Sequence, residues 1–333
     1  MISTIQENRI KMLQIDTRYW AWFAILLSAF IFGFIKVFAL LFSIWWNSYI
    51  YSYGFLIPLV SLYIIWIERE KLKHIQAVSN FLLGVPLLVI GLFMLISDTH
   101  GSASIQVFSL IIAITGMVLL ILGKGFLKVL SFPIAYLLFT VPFWDNLTKR
   151  LDLPFQNFTA LISIHLMQFI GMPAYRQSLY IELPNVTLEV AKECSGTNNL
   201  IAIIAIAIPL AYLNLRSWPR RLLLICGGVV ITILMNGLRV ALIGFFAYHG
   251  FSKVLHGPYH IFQSMSVSII GFILLFAGVW ILAKGDKSAV VQPAPSTFSS
   301  QQQISFQWDK IKYPLFLTSG ILILVGIFNN LYR

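Results

Sequence analysis

The chain has 333 residues, 59% of them apolar and only 11% charged, where a soluble domain runs nearer roughly 45–50% apolar and about 25% charged. With a mean hydropathy of +0.85, this excludes a soluble enzyme and a disordered regulator and describes a polytopic membrane protein. The net charge of +11 does not signal nucleic acid, because the bases form no long run, no interleaved aromatic patch and no nucleic-acid motif. Two cysteines in so long a chain cannot build a disulfide framework.

A transmembrane helix needs about 20 largely apolar residues. The stretches 20–43, 54–68, 81–97, 105–123, 126–144, 194–214, 222–247, 262–283 and 313–331 meet or approach this. The first is too long for a signal-peptide core and lacks a small-residue cleavage site, so it reads as an uncleaved anchor. Orientation follows from lysine and arginine in short loops. With the N-terminus inside, the cytoplasmic segments carry Arg9, Lys11 and Arg18; Arg69, Lys71 and Lys73; Lys124 and Lys128; Arg216, Arg220 and Arg221; and Lys284, Lys287, Lys310 and Lys312. The external loops keep Lys149, Arg150, Arg176 and Lys253.

The segment 155–171 is apolar on one side but interrupted by Gln156, Asn157, Thr159, Ser163, His165 and Gln168. A full span there would put Arg216, Arg220 and Arg221 outside, so it is expected to be an interfacial or re-entrant helix. Residues 178–190 alternate with period two around Pro184-Asn185, which predicts an external β-hairpin. The expected fold is therefore all-α and polytopic, with about eight to nine transmembrane helices, one interfacial helix and a small external hairpin. Its organisation reads as a cytoplasmic segment 1–19, a transmembrane core 20–285, a flexible Ser-, Gln- and Pro-rich linker 286–312 and a last helix 313–333.

Polar residues inside apolar helices are costly and are functional candidates by default. Three segments stand out, all at the external side. In Glu193-Cys-Ser-Gly-Thr-Asn-Asn199, Cys194 is expected in the first turn of a helix, where the dipole and the neighbouring Lys192 favour a thiolate. Asn198, four residues on, would share its face and orient a substrate carbonyl. In Asn236-Gly-Leu-Arg239, the i, i+3 pair shares a face, and Arg239 lies roughly 12 Å below the outer helix end. It would either serve a wet site or pair with Glu193. The third segment is His256-Gly-Pro-Tyr-His-Ile-Phe-Gln-Ser264, in which His260 opens a span and Ser264 and Ser268 continue its face. His256 and His260 have zinc-ligand spacing, but Gly257-Pro258 breaks the helix between them, and no HExxH glutamate follows. No metal and no cofactor is expected. Cys226, beside Gly227-Gly228, is expected to be a packed core residue, and Lys36 inside the first span has no evident partner.

Cysteine, arginine and histidine at the outer ends of consecutive helices suit acyl transfer. Cys194 would attack a peptide carbonyl and form a thioester, His260 would exchange protons with thiol, leaving amine and acceptor, and Arg239 would stabilise the oxyanion. Glu193, Asn198, Asn236 and His256 are supporting candidates.

These residues resemble the exosortase/archaeosortase family of membrane-embedded cysteine transpeptidases. The resemblance rests on Tyr51-Ser-Tyr-Gly-Phe-Leu-Ile-Pro58, Phe132-Pro-Ile-Ala-Tyr-Leu-Leu-Phe-Thr-Val-Pro142, Val190-Ala-Lys-Glu-Cys-Ser-Gly196, Asn236-Gly-Leu-Arg-Val240 and the final histidine segment, spanning about 45–285. By position, the resemblance makes Cys194 the nucleophile, Arg239 the family arginine and His260 the family histidine. Ser264 stands where the family often has glycine, so His256 stays a second candidate, and Tyr53 stands where the early motif usually has histidine. The resemblance implies secreted protein substrates whose C-terminal tail carries a short motif such as Pro-Glu-Pro, a transmembrane helix and basic residues. It also implies membrane lipids as surroundings, a polysaccharide or lipid acceptor, no nucleic acid, and a bacterial plasma (inner) membrane with the site on the extracytoplasmic side. The 172–190 hairpin and the 155–171 helix are expected to frame the motif. The alternative is a multi-pass transporter or polysaccharide-export component in which Arg239 binds an anionic substrate.

Overall fold

In a bilayer every backbone N–H and C=O must be satisfied internally, and runs of Leu, Ile, Phe and Ala with few charges satisfy this as helices. The structure, a computed structural model, describes residues 17–48, 51–98, 100–251, 258–284 and 308–332. They form two units, Met1–Pro142 with Thr297–Arg333, and Phe143–Ser296.

In the first unit α1 (Thr17–Gly33) bends by 62° at Phe34 into α2 (Ile35–Asn47). A short 3-10 turn, Ser52–Phe55, leads into α3 (Leu56–Ile67), followed by α4 (Arg69–Lys73). Next come α5 (Phe81–Ser97), α6 (Ala103–Ile121) and α7 (Lys124–Tyr136). The close pair α5–α6 is built on small residues: a Cβ on Gly116 would sit 2.5 Å from the Leu88 nitrogen, and one on Gly91 2.8 Å from the Ala113 nitrogen. Backbones therefore touch, as apolar helices do when packing and not water drives association. Asp98 closes the hairpin, accepting from the Ser102 N–H and from Gln106 Nε2.

The last helix, α12 (Trp308–Tyr332), packs on α1 and gives Lys36 its partner. Lys36 Nζ donates to the carbonyl of Asn329 at 2.7 Å. That carbonyl belongs to the last turn of α12, where C=O groups lack intrahelical donors and carry the negative end of the helix dipole.

The expected span 126–144 is not one helix. It stops at Tyr136, tightens into a 3-10 turn, Leu137–Thr140, and then breaks. Val141 is extended, at φ −74° and ψ 126°, because the residue before a proline is pushed out of the helical region, and Pro142 follows.

The second unit opens with α8 (Trp144–Phe169), 26 residues long. It starts 11 residues before the predicted helix 155–171. The predicted hairpin is a three-stranded antiparallel sheet: β1 (Tyr175–Gln177), β2 (Tyr180–Leu183) and β3 (Val186–Glu189). The turn at Pro184-Asn185 falls where expected, with Leu183 opposite Val186, while Arg176 of the added strand lies opposite Ile181. A three-residue Tyr-Arg-Gln strand has too little alternation to read from sequence. Ile181, Leu183 and Leu188 point inward and join Ala160, Ile164 and Met167 of α8 in one core cluster.

The helices α9 (Thr197–Asn214), α10 (Trp218–Tyr248) and α11 (Pro258–Lys284) complete the unit. A second cluster, including Ile203, Ala207, Leu224 and Leu275, joins these three. Arg221 caps α9, donating to the carbonyl of Leu215 at 2.7 Å. Cys226 is exposed, not a core residue as expected. Gly228, two residues on and so on nearly the opposite side of the helix, takes the packing position against Ile203 and Leu275.

Among the described residues, Ala103–Ile121, Trp218–Tyr248 and Tyr313–Leu331 are each long and apolar enough to cross a membrane, and the bent α1–α2 pair has the length and composition of a fourth span if it crosses as one, or of a re-entrant loop. The apolar helices Ser52–Ile67, Phe81–Ser97, Asn199–Asn214 and Ser268–Lys284 are shorter. The chain is thus a helical membrane protein with one small sheet.

Candidate active site

The site is assembled on one polar stripe of α8. Asp152, Gln156, Thr159 and Ser163 are spaced four, three and four residues apart, so they share a helix face. All four are buried. Their partners lie on the segment that carries Cys194 and on α10. Gln156 Nε2 donates to the carbonyl of Val190 at 2.9 Å. Thr159 Oγ1 is 3.4 Å from the Ser195 carbonyl. Ser163 Oγ is 2.9 Å from the carbonyl of Gly237 and 2.6 Å from that of Thr159. Three of the polar interruptions that suggested an interfacial helix, Gln156, Thr159 and Ser163, therefore meet protein backbone, whereas His165 is exposed. Near the sheet, Asn157 accepts from the side-chain Nη2 of Arg176, and Gln168 donates to the Ala174 carbonyl.

Cys194 is not in the first turn of a helix. It ends a separate 3-10 turn, Lys192–Cys194, and α9 begins only at Thr197. Gly196 sits between them in the left-handed region at φ 82°, which interrupts helical bonding and favours glycine. The spacing argument that put Asn198 on the face of Cys194 therefore fails, since the two belong to different elements. The side chains of Glu193 and Asn198 lie outside the described side chains.

From the other side, Asn236 of α10 grips this turn. Its Nδ2 donates to the carbonyl of Cys194 at 2.7 Å and to Thr159 Oγ1 at 2.8 Å. Gly196 is required here a second time: a Cβ on it would lie 2.7 Å from the Asn236 Cγ. Asn236 is 3% exposed and Arg239, one turn further along α10, is 7% exposed.

Asn236 and Arg239 line a small cleft of about 30 Å³, together with Asn199 from α9, Thr232 and Met235 from α10, and Ser268 from α11. Ala202, Ile203, Gly271 and Phe272 supply its apolar wall. His260 falls in the first turn of α11, as expected, but its side chain lies outside the described side chains, and His256 lies outside the described residues.

The structure thus joins Cys194 to Asn236, which lines the cleft with Arg239 one turn further along α10, while Cys194 itself is not among the lining residues. The sequence reading missed Asp152 altogether and took Gln156, Thr159 and Ser163 as interruptions marking an interfacial or re-entrant helix. Their 4-3-4 spacing was the available signal.

No solved structure and no curated relative matches the chain. The sequence profile of the family described as Transmembrane exosortase (Exosortase_EpsH) matches residues 45–277, a region that contains the Cys194 turn, the α8 stripe and the Asn236–Arg239 pair. The chain belongs to the transmembrane exosortase family.

Proposed function

We propose that the protein is a membrane-embedded cysteine protease/transpeptidase that removes the C-terminal sorting tail of secreted proteins through a Cys194 thioester. The observation that carries this reading is the hydrogen bond from Asn236 Nδ2 to the Cys194 carbonyl. It ties the thiol-bearing turn to Asn236, which with Arg239 one turn on lines the cleft. Membership of a family whose members are generally cysteine transpeptidases supports it independently.

In this mechanism Cys194 attacks the scissile carbonyl as a thiolate. Arg239 provides fixed positive charge for the tetrahedral oxyanion from a position already buried, where its effect is strengthened by exclusion of water. His260 exchanges the protons: it takes the thiol proton, gives one to the leaving amine and later activates the acceptor. Helical spacing puts His260 three turns before Gly271, which lines the cleft. His256 is the second candidate for that role. The acceptor is an amine or hydroxyl of a polysaccharide or lipid, or water.

The reading takes Arg9 to Arg18 and the basic loops as cytoplasmic, with eight to nine spans in a bacterial plasma membrane. Cys194, Arg239 and His260 then face the extracytoplasmic side. A substrate tail with its basic cluster inside would present a motif such as Pro-Glu-Pro at that face.

The test is intact-mass analysis of a secreted reporter carrying such a tail, co-expressed with the wild-type chain or with Cys194→Ala. Loss of the tail with wild type alone supports the reading, and any mass added to the new C-terminus identifies the acceptor. Equal processing with Cys194→Ala overturns it.

A further inference from the structure

We propose that Asp152 is a positioning residue for Cys194, an assignment that rests on the reading of Cys194 as nucleophile. Asp152 is buried within an apolar protein, where a carboxylate without hydrogen bonds is strongly disfavoured. Among the described residues, its hydrogen bonds and its ion pair go to the turn around Cys194. Thr197 Oγ1 donates to Asp152 Oδ1 at 2.6 Å. Ser195 Oγ lies 3.1 Å from the same oxygen and 2.9 Å from Thr197 Oγ1, its single proton going to one of them. The Thr197 N–H in turn donates to Ser195 Oγ at 3.3 Å. Lys192 Nζ stands 3.5 Å from Asp152 Oδ2, but its side chain is largely exposed, so this ion pair adds little.

The contacts at 192, 195 and 197 bracket Cys194 on both sides in the chain. Gln156 and Thr159, one and two turns further along α8, hold Val190 and Ser195 by their carbonyls. Asn236 holds the carbonyl of Cys194 itself from α10. The turn is therefore fixed from two helices, and Asp152 is the only ionisable member of the α8 stripe. An apolar residue of that size would leave those buried hydroxyls without their acceptor. A carboxylate oxygen that collects the hydroxyls flanking the thiol instead sets the conformation of a turn that Gly196 leaves free to open.

The test needs no substrate. In the full-length chain carrying Cys226→Ser, Cys194 is the sole thiol, and its alkylation by iodoacetamide is followed by peptide mass at a pH where the rate has reached its plateau. Asp152→Ala is expected to raise the plateau rate about tenfold, the change in open population that loss of hydrogen bonds of ordinary strength gives. Asp152→Asn, whose Oδ1 still accepts from Thr197 Oγ1 and stays within reach of Ser195 Oγ, is expected to stay within about twofold of the parent. An unchanged rate in Asp152→Ala, or an Asn variant that tracks the Ala variant, overturns the assignment. Thr197→Ala and Thr197→Ser read the same contact if Asp152→Ala fails to fold: Ala is expected to accelerate alkylation and Ser to leave it at the parent rate, and equal rates overturn the proposal. Failure here leaves the cysteine chemistry standing, whereas failure of Cys194→Ala to stop processing removes the chemistry and leaves these rates unaffected.

Discussion

Asn236 and Cys194, 42 residues apart in sequence, are joined by a 2.7 Å hydrogen bond from side-chain amide to backbone carbonyl. The same amide nitrogen reaches Thr159, so three segments of the second unit meet at one nitrogen. A helix that spans a membrane gives a rigid reference frame, and the thiol-bearing turn has none of its own because Gly196 separates it from α9. The amide supplies that frame.

Replacing Asn236 with Asp keeps the shape and turns a donor into an acceptor facing the Cys194 carbonyl. A buried group left without its partner costs about 1–3 kcal/mol, and the misplaced turn adds a loss of alignment. Asn236→Asp is expected to lower tail removal by at least about tenfold, measured on the tailed reporter at equal membrane levels. Processing at the wild-type rate would show that the hydrogen bond does not matter to the chemistry.

Gly196→Ala meets two obstacles. Its φ of 82° costs a residue with a Cβ about 1–2 kcal/mol, and that Cβ would press on the Asn236 side chain. The variant is expected both to melt lower in detergent and to lose processing. Gly171 has the same φ and an open surrounding, so Gly171→Ala is expected to carry the strain alone and to keep processing. Equal activity in the two variants would argue against a role for the Gly196–Asn236 contact.

Much of this arrangement could be read before the structure. Apolar runs predicted Phe81–Ser97 to the residue and Ala103–Ile121 within two, because length and hydropathy alone decide a helix in lipid. Cys194 and the Asn236–Arg239 pair stood out because polar groups in such runs are rare. What stayed hidden depends on partners. Spacing reveals that Asp152, Gln156, Thr159 and Ser163 share a face, but not that backbone carbonyls and hydroxyls lie against it. A polar face accordingly reads as that of an interfacial or re-entrant helix. The two prolines at 133 and 142 gave warning of the break at Val141, yet the apolar run between them outweighed it. Lys36 had no reading at all, since its acceptor lies 293 residues away.

Cys194→Ser and Arg239→Ala together separate enzyme from transporter. Acyl transfer needs the thiol, and serine at that site lacks the thiolate that makes the attack feasible near neutral pH. Both variants are expected to stop processing, by about a hundredfold or more for Arg239→Ala if it removes a fixed oxyanion charge. An anion transporter would tolerate Cys194→Ser and fail with Arg239→Ala. Restored function in Arg239→Lys would assign the arginine to charge alone, because lysine cannot reproduce the planar fork.

Cys226 supplies a control on the same chain. It is exposed on α10, so Cys226→Ser is expected to leave stability and processing unchanged within about 0.5 kcal/mol, the range of surface substitutions. A stability loss of several kcal/mol would instead place Cys226 in a packed core.

The sheet is tested by its two faces separately, since deleting it would remove core. Ile181, Leu183 and Leu188 face the cluster with Ala160, Ile164 and Met167, whereas Tyr180, Glu182, Thr187 and Glu189 are on the exposed face. Ile181→Asp buries a charge without a partner and is expected to unfold the second unit. Glu182→Ala and Tyr180→Ala leave the core intact and are expected to keep the melting temperature. If the sheet frames the sorting motif, these outer substitutions raise KM for the tailed reporter and leave kcat alone, as loss of ground-state binding does. Unchanged KM across the outer face would reduce the sheet to a cover for the α8–α10 core.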